Sequence, residues 1–381
     1  MTVKRLRQSG RFFCRWDSNQ GSGFRKKLFP VPCSLFPEKG SALIIALWSL
    51  FFLGMLAVAI YAYARPQLDC GSRFINRVKA QYLARAGVKR AILELEKGDK
   101  TADYDAFGDT WNNNTGAFKE VDLGDGTFST VNGSTGERVS GLEDLSNPHT
   151  RTPDNPLTNY GLIDEERKIN INKSSYDILR RLLEAKEVEP ETAASIAAAI
   201  IDWRDEDDNP YMDVGAENSH YNSLSPSYHC KNARFNVTEE LLLLKNMTAD
   251  IYKRIKDSIT VYSEGPVNIN TIDKTVMNAL GIEEPLAEKI LRFRGNGDDP
   301  EAVVNVFKDP GSAALALNAV ETLSNGEIAS LNKIFGQGLI TVKSDVFSGR
   351  AIGRVKNRTD YYSITFVYDR NKKALRYWRE E

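Results

Sequence analysis

The chain has 381 residues, 41% hydrophobic and 27% charged, a globular balance that excludes wholesale disorder and collagen and allows two or three domains. Fifty Lys and Arg against 51 Asp and Glu leave a net charge of −1, which argues against a protein that grips nucleic acid by bulk charge. Four cysteines without a C-x-x-C pair argue against a zinc ribbon or a disulfide scaffold.

The even total hides an asymmetry. Residues 1–40 carry nine basic and two acidic side chains, a net of +7, which leaves −8 for the rest. Residues 41–64, SALIIALWSLFFLGMLAVAIYAYA, hold neither charge nor proline. As a helix they span about 36 Å, enough for a hydrocarbon core of about 30 Å. The basic flank keeps residues 1–40 in the cytoplasm and sends 65–381 across the membrane. The bland alternative, a buried core helix, fits neither the length nor the flanks. A secretory signal peptide would have a shorter apolar run followed by a small-x-small cleavage site.

The informative feature lies just before the apolar run, at Glu38-Lys39-Gly40-Ser41. A basic residue and a glycine, then a small residue and a long apolar helix, resemble the type III leader of type IV pilins and type II secretion pseudopilins. The resemblance implies cleavage by a prepilin peptidase between Gly40 and Ser41, methylation of the new N-terminus, and retention of the helix. Most members have Glu as the fifth mature residue, where this chain has Ile45. That departure narrows the resemblance to the general secretion pathway protein K family of large minor pseudopilins. It implies assembly of the helix, at positions such as Ile45, Leu47 and Phe51, beside the I and J minor pseudopilins at the top of the pseudopilus. It further implies a single-pass inner-membrane protein whose periplasmic head caps the tip, initiates the pseudopilus and limits its length. Contacts with the secretin or with secreted proteins, and no catalysis, follow from the same resemblance. Cys14 and Cys33 leave with the leader; Cys70 and Cys230 remain in an oxidising space, and a disulfide between them is one option that sequence does not place.

After Arg65-Pro66 the spacing predicts that the helix continues to about Gly98, with an apolar stripe at Phe74, Val78, Tyr82 and Ala86 and with Ile75, Leu83 and Leu93 nearby. Residues 99–165 are rich in Gly, Asn, Asp, Thr and Ser. Within them Ala117–Val121 and Thr127–Val131 read as strands, joined by a hairpin signal at Asp125-Gly126. Ser146–Pro156, with three prolines, reads as an exposed loop. Lys168–Asn172 is strand-like, as are Leu339–Val342, Val346-Phe347 and Tyr361–Tyr368. The tail Ala374–Glu380 resembles the ending common in the K family.

The expected fold class is α+β: a long N-terminal helix packed on an antiparallel sheet, interrupted by a large all-α insertion. The segments are a leader over 1–40, a transmembrane half-helix over 41–64 and a periplasmic half over 65–98. A pilin-like sheet over 99–172 and 336–381 follows, with the inserted domain over 173–335. That insertion contains a repeat. Ile169-Asn170-Ile171-Asn172 matches Val267-Asn268-Ile269-Asn270, and each unit ends in aromatic-Arg, Trp203-Arg204 and Phe293-Arg294. The Asn side chains can satisfy backbone groups at a strand-to-helix corner. The pattern also resembles helix-hairpin-helix modules that bind DNA phosphates, which raises a membrane-anchored DNA-binding or uptake protein as the alternative. Glu187, Glu189 and Glu191 on one hairpin and Glu283 and Glu284 on the other would repel phosphate.

The densest chemistry lies in Asp202–Glu217, DWRDEDDNPYMDVGAE. Hard carboxylates on a turn-rich loop suit Ca²⁺, which takes oxygen ligands, although a solvated acidic turn is the competing reading. The K-family resemblance implies calcium here, with Asp205, Asp207 and Glu217 as its ligands, joined by Asp208 and Asn232. Its role would be structural. His220, His229 and Cys230 with Glu217 sketch a zinc site, at spacings that match no common pattern. Met212, Tyr221 and Tyr228 are expected to pack the loop. No P-loop, G-x-S-x-G, H-E-x-x-H or dinucleotide fingerprint is present. An anchored envelope enzyme would therefore have to use the acidic loop.

Overall fold

The computed structural model describes residues 6–8, 11–13, 41–97, 103–132, 159–295, 305–358 and 361–381. Gly40 of the leader junction and the proline-rich 146–156 stretch lie outside them. The described chain divides into two compact units, Met1–Arg73 and Phe74–Glu381.

The first unit is dominated by the start of a 57-residue helix, Ser41–Lys97. Its apolar surface is uncovered: Ile45 is 61% exposed, Leu47 65% and Phe51 58%. The most apolar stretch has a mean hydropathy of 2.6, and none of it is buried. An uncovered surface of this kind is stable in lipid or against other helices, not in water. Two short paired strands, Leu6–Gln8 and Arg11–Phe13, precede it.

In the second unit the remaining turns of the helix lie on an antiparallel six-stranded sheet. The strand Val346–Val355 is its centre. It pairs with Tyr361–Asp369 on one side and with Gly126–Val131 and Ile163–Asp164 on the other. Ala374–Glu380 and Val121–Asp122 complete the two edges. The helix face against this sheet is Ala80, Leu83, Ala84, Val88, Ala91 and Leu95, all buried. The apolar stripe expected from the sequence is rotated away from it: Phe74, Ile75, Tyr82 and Leu93 are exposed. Small side chains win the sheet-facing side because they let the two backbones approach closely. The last strand is also tied to the helix, since the Glu380 carboxylate accepts hydrogen bonds from Gln81 at 2.8 Å, Arg85 at 3.0 Å and Tyr362 at 2.6 Å.

Three local expectations are corrected. Ala117 and Phe118 belong to a short helix, Thr115–Phe118, with the Asn114 side chain capping Ala117 N–H. Lys168–Asn172 and Leu339–Val342 do not extend the large sheet. Ile169–Asn170 pairs in parallel with Ile259–Thr260, and Val267–Asn268 pairs in parallel with Ile340–Thr341. Each two-residue pair finds its partner about 70–90 residues away, a pairing that no local pattern announces.

The sequence repeat is realised as two equivalent units. Each places two helices after the Asn pair, Tyr176–Ala185 with Pro190–Arg204, and Lys274–Ala279 with Glu284–Arg294. Asn172 donates to Phe235 O at 3.0 Å and accepts from Phe235 N at 2.7 Å. Asn270 makes the same two bonds to Phe307, both at 2.9 Å. Arg204 donates to the Ile171 and Ser174 carbonyls, and Arg294 to those of Asn270 and Ile272. The half-buried Arg204 and the buried Arg294 serve the backbone corner; burial pulls Arg294 down to about 9. Asn270→Ala would leave two buried backbone groups of Phe307 unpaired, each costing about 1–3 kcal/mol. Its urea midpoint should therefore fall well below that of the wild type. Replacing the exposed Asn236 should leave the midpoint unchanged.

The sheet meets the repeats at Asp164. Its fully buried carboxylate accepts from Glu166 N, Thr271 Oγ1, Ser344 Oγ and Asn268 Nδ2 at 2.6–3.2 Å. One side chain thus links a sheet strand to the second repeat and to the returning chain.

Candidate cation site

The acidic loop begins where the helix Pro190–Arg204 stops. Asp205 N–H still donates to Ile201 O at 3.0 Å, but Asp205 itself is extended. Asp202, on the last turn, is completely buried. Its two carboxylate oxygens accept from Tyr211 N at 2.8 Å and Ala216 N at 2.5 Å. This one side chain folds the loop back over the helix end. Gly215 makes the closure possible: a Cβ there would collide with Asp202 Oδ2. Lys245 donates to the carbonyls of Val214 and Gly215 at 3.2 and 3.1 Å, pinning the loop from outside.

Beneath the loop Trp203, Tyr221 and Tyr228 form an aromatic cluster with centroids 5.3–6.5 Å apart, the two tyrosines stacked and Trp203 edge-on to both. Met212 does not join it; it is 63% exposed with φ of 52°, because Asp202 holds the backbone on both sides of it.

This scaffold brings together Asp205, Asp207 and Glu217. One carboxylate oxygen from each lies within 4.8 Å of the other two. Asp207 is braced by Asn209, whose N–H and side-chain amide both donate to Oδ1. Asn232 donates to the Asp207 carbonyl at 2.8 Å, while its own buried Oδ1 has no hydrogen-bond partner among the described residues. Glu217 is 1% exposed, and among the described residues its oxygens have no donor beyond the weak Cys230 thiol; Asp205 Oδ1 has none. Asp208 stands apart, accepting from Asn218 N and Nδ2 at 3.3 and 3.0 Å.

The electrostatics follow from this geometry. Burial, then the charges on Asp202 and Asp205, push Glu217 up to about 7. Burial, then Asp207 and Asp202, push Asp205 to about 6. A buried carboxylate without a donor is costly, and three that converge are costlier still. A divalent cation would remove both penalties at once. The converging groups are three carboxylates, a hard all-oxygen set of the kind Ca²⁺ takes. His220, His229 and Cys230 join no such group among the described residues. Cys230 is a free, buried thiol pushed up to about 12 by burial, and Cys70 is also free.

The sequence points to Asp205, Asp207 and Glu217 as neighbours, because they are crowded into one short loop, and the structure brings these three together while Asp208 does not join them. That reading misses Asp202 as the organising residue. Its signal was faint: an acid on the buried side of an Ala-rich helix, with Gly215 thirteen residues later.

A family model described as Type II secretion system (T2SS), protein K matches residues 154–264, the stretch that contains this loop. Type II secretion system protein K of Pseudomonas aeruginosa is 32% identical over 156 residues, 40% of this chain and 46% of that protein. The protein of the same name from Dickeya chrysanthemi is 24% identical over 359 residues, 86% of this chain and 93% of that one. In sequence the chain is similar to type II secretion system protein K. The matched stretch is about half the length of the Pseudomonas relative and 60% of the Aeromonas hydrophila one. A chain in the crystal structure of the GspK-GspI-GspJ complex from the enterotoxigenic Escherichia coli type 2 secretion system has a similar fold, aligning with a TM-score of 0.57 at 16% identity. That alignment covers 84% of this chain and 99% of the other.

Proposed function

We propose that this chain is the K minor pseudopilin at the tip of a type II secretion pseudopilus, acting by assembly. The observation that carries this reading is the 57-residue helix, whose first part is apolar and uncovered and whose last part is packed on the sheet. Such a rod can lie in the bilayer, or beside sibling rods, while holding a large head outside. Prepilin peptidase cuts between Gly40 and Ser41 and the new end is methylated. The basic flank retained by the precursor sets the head in the periplasm. Ile45 offers no carboxylate to a neighbouring N-terminus, which suits a subunit with nothing to pair in that way. In this position the head initiates the pseudopilus and limits its length, and it meets the secretin or the cargo.

The structural relative is held in a complex with GspI and GspJ, so the I and J subunits are the expected neighbours of this chain. Ile45, Leu47 and Phe51 are the exposed apolar positions through which the helices would pack. The loop of Asp205, Asp207 and Glu217, with Asn232, binds Ca²⁺ in a structural role, supported by buried oxygens that lack donors; Asp208 steadies it through Asn218. A DNA-binding reading has little behind it, because Arg204 and Arg294 are spent on backbone carbonyls.

Co-expression with the I and J subunits of the same system tests the assembly. A ternary complex should survive gel filtration in detergent. A double substitution, Ile45→Arg with Phe51→Arg, should abolish the complex while leaving the melting temperature of the head unchanged. Recovery of an I–J complex with the wild-type chain eluting alone would contradict the proposal.

A further inference from the structure

A second feature lies away from the acidic loop, in a cleft of about 730 Å³ between the first helix of the first repeat and the end of the helix Asn325–Gly336. Such a volume is typical of ligand sites. Arg181 lines it. Among the described residues its guanidinium has neither hydrogen bond nor ion pair, and its Nε is sealed from solvent. An arginine fork in this state is a bidentate receptor without an acceptor. The group sits beside Gly281, where even a Cβ would come within 3.3 Å of Nη1.

The other charges of the cleft are accounted for as follows. Lys173 is paired with Glu264 at 2.8 Å, and Glu264 is held at about 2 by Lys173 and Lys372. Asp177, one turn before Arg181, lines the same cleft and forms no ion pair with it within 4 Å among the described residues. Lys333 is exposed and unpaired among the described residues. Three cations against two carboxylates leave a surplus of one positive charge. Between these groups Leu280 and Ile334 offer apolar wall.

We propose that this cleft binds an extended acidic peptide segment, with one carboxylate received by Arg181 and the flanking aliphatic side chains on the apolar wall. A single surplus charge matches one carboxylate. A polyphosphate or nucleic-acid backbone would meet Asp177 and Glu264 as well.

The test uses the full chain in detergent micelles and two fluorescein-labelled peptides, Gly-Leu-Glu-Leu-Gly and Gly-Leu-Gln-Leu-Gly, followed by anisotropy. The Glu peptide should bind about tenfold more tightly than the Gln peptide, the difference expected for one charge-assisted contact. Arg181→Gln should erase that preference without changing the melting temperature, and Arg181→Lys should keep part of it. Lys333→Gln, at an exposed position, should weaken the Glu peptide severalfold and serves where Arg181→Gln perturbs folding. Equal binding of the two peptides, or an unchanged preference in Arg181→Gln, would overturn the proposal. So would displacement of the Glu peptide by inorganic phosphate more readily than by acetate at equal ionic strength, which would mark a simple anion site.

Discussion

Stripping divalent cations from the full-length protein with a chelator is expected to lower its melting temperature by on the order of 10 °C, and Ca²⁺ should restore it. A cation present at about a thousand times its dissociation constant stabilises by about 4 kcal/mol. In a head of this size each 1 kcal/mol shifts the midpoint by about 2–4 °C. The effect should depend on pH in a defined sense. Without cation, Glu217 and Asp205 titrate near 7 and 6, above the ordinary carboxylate values, so the folded chain holds these protons more tightly than the unfolded one. Their favourable contribution is complete below the ordinary values and is lost as pH rises through about 6 to 7. Cation binding requires the ionised forms and so strengthens through the same window. The gap between the Ca²⁺ and chelator melting curves should therefore widen from pH 5 to pH 8. Glu217→Gln should close that gap and, in chelator at pH 8, should melt above the wild type because a buried charge is gone. Identical curves with and without chelator at pH 8 would favour a solvated acidic turn.

Substitution of Gly353 by Leu is expected to unseat the helix from the sheet. Gly353 lies on the central strand opposite the helix backbone. A Cβ there would collide with the Ala80 carbonyl oxygen and come within 2.9 Å of Leu83 Cβ. Neither neighbour can yield, because both belong to a regular helix whose buried face is Ala80, Leu83 and Ala84. Overpacking of this kind costs about 1–3 kcal/mol where side chains can adjust, and more where the obstacle is backbone. The expected readout is a lower urea midpoint together with rapid deuterium uptake across residues 80–95. Gly71→Leu, on the exposed turns, has nothing within 4 Å of the added atom and should behave as the wild type. Wild-type exchange in Gly353→Leu would show that the close approach does not hold the helix.

The contrast between those two glycines shows what the sequence makes legible. The 24-residue apolar run states its own helix and its membrane length, and the carboxylates of the loop are crowded enough to be read as one site. The side of the helix that packs differs from the stripe that the spacing of Phe74, Val78, Tyr82 and Ala86 predicts. The large Phe74 and Tyr82 face outward, while Ala80, Ala84 and Ala91 meet the sheet. Close backbone approach rewards small residues, and hydrophobic periodicity does not register that preference. The repeat was legible at Asn170 and Asn268. Its clips were not, since Phe235 and Phe307 lie 63 and 37 residues beyond Asn172 and Asn270. Asp202 stayed hidden among its acidic neighbours for the same reason. Its role is defined by two amide groups, nine and fourteen residues along, that only the folded loop presents to it.

The proposed tip role requires that the apolar helix stay joined to the head once a prepilin peptidase has acted. The intact mass of the protein extracted from membranes of cells that express prepilin peptidase measures this directly. A mature chain beginning at Ser41, with the unprocessed precursor persisting for a Gly40→Leu variant, is the predicted result. A mature chain beginning beyond Ala64 and recovered free of membrane would contradict the account.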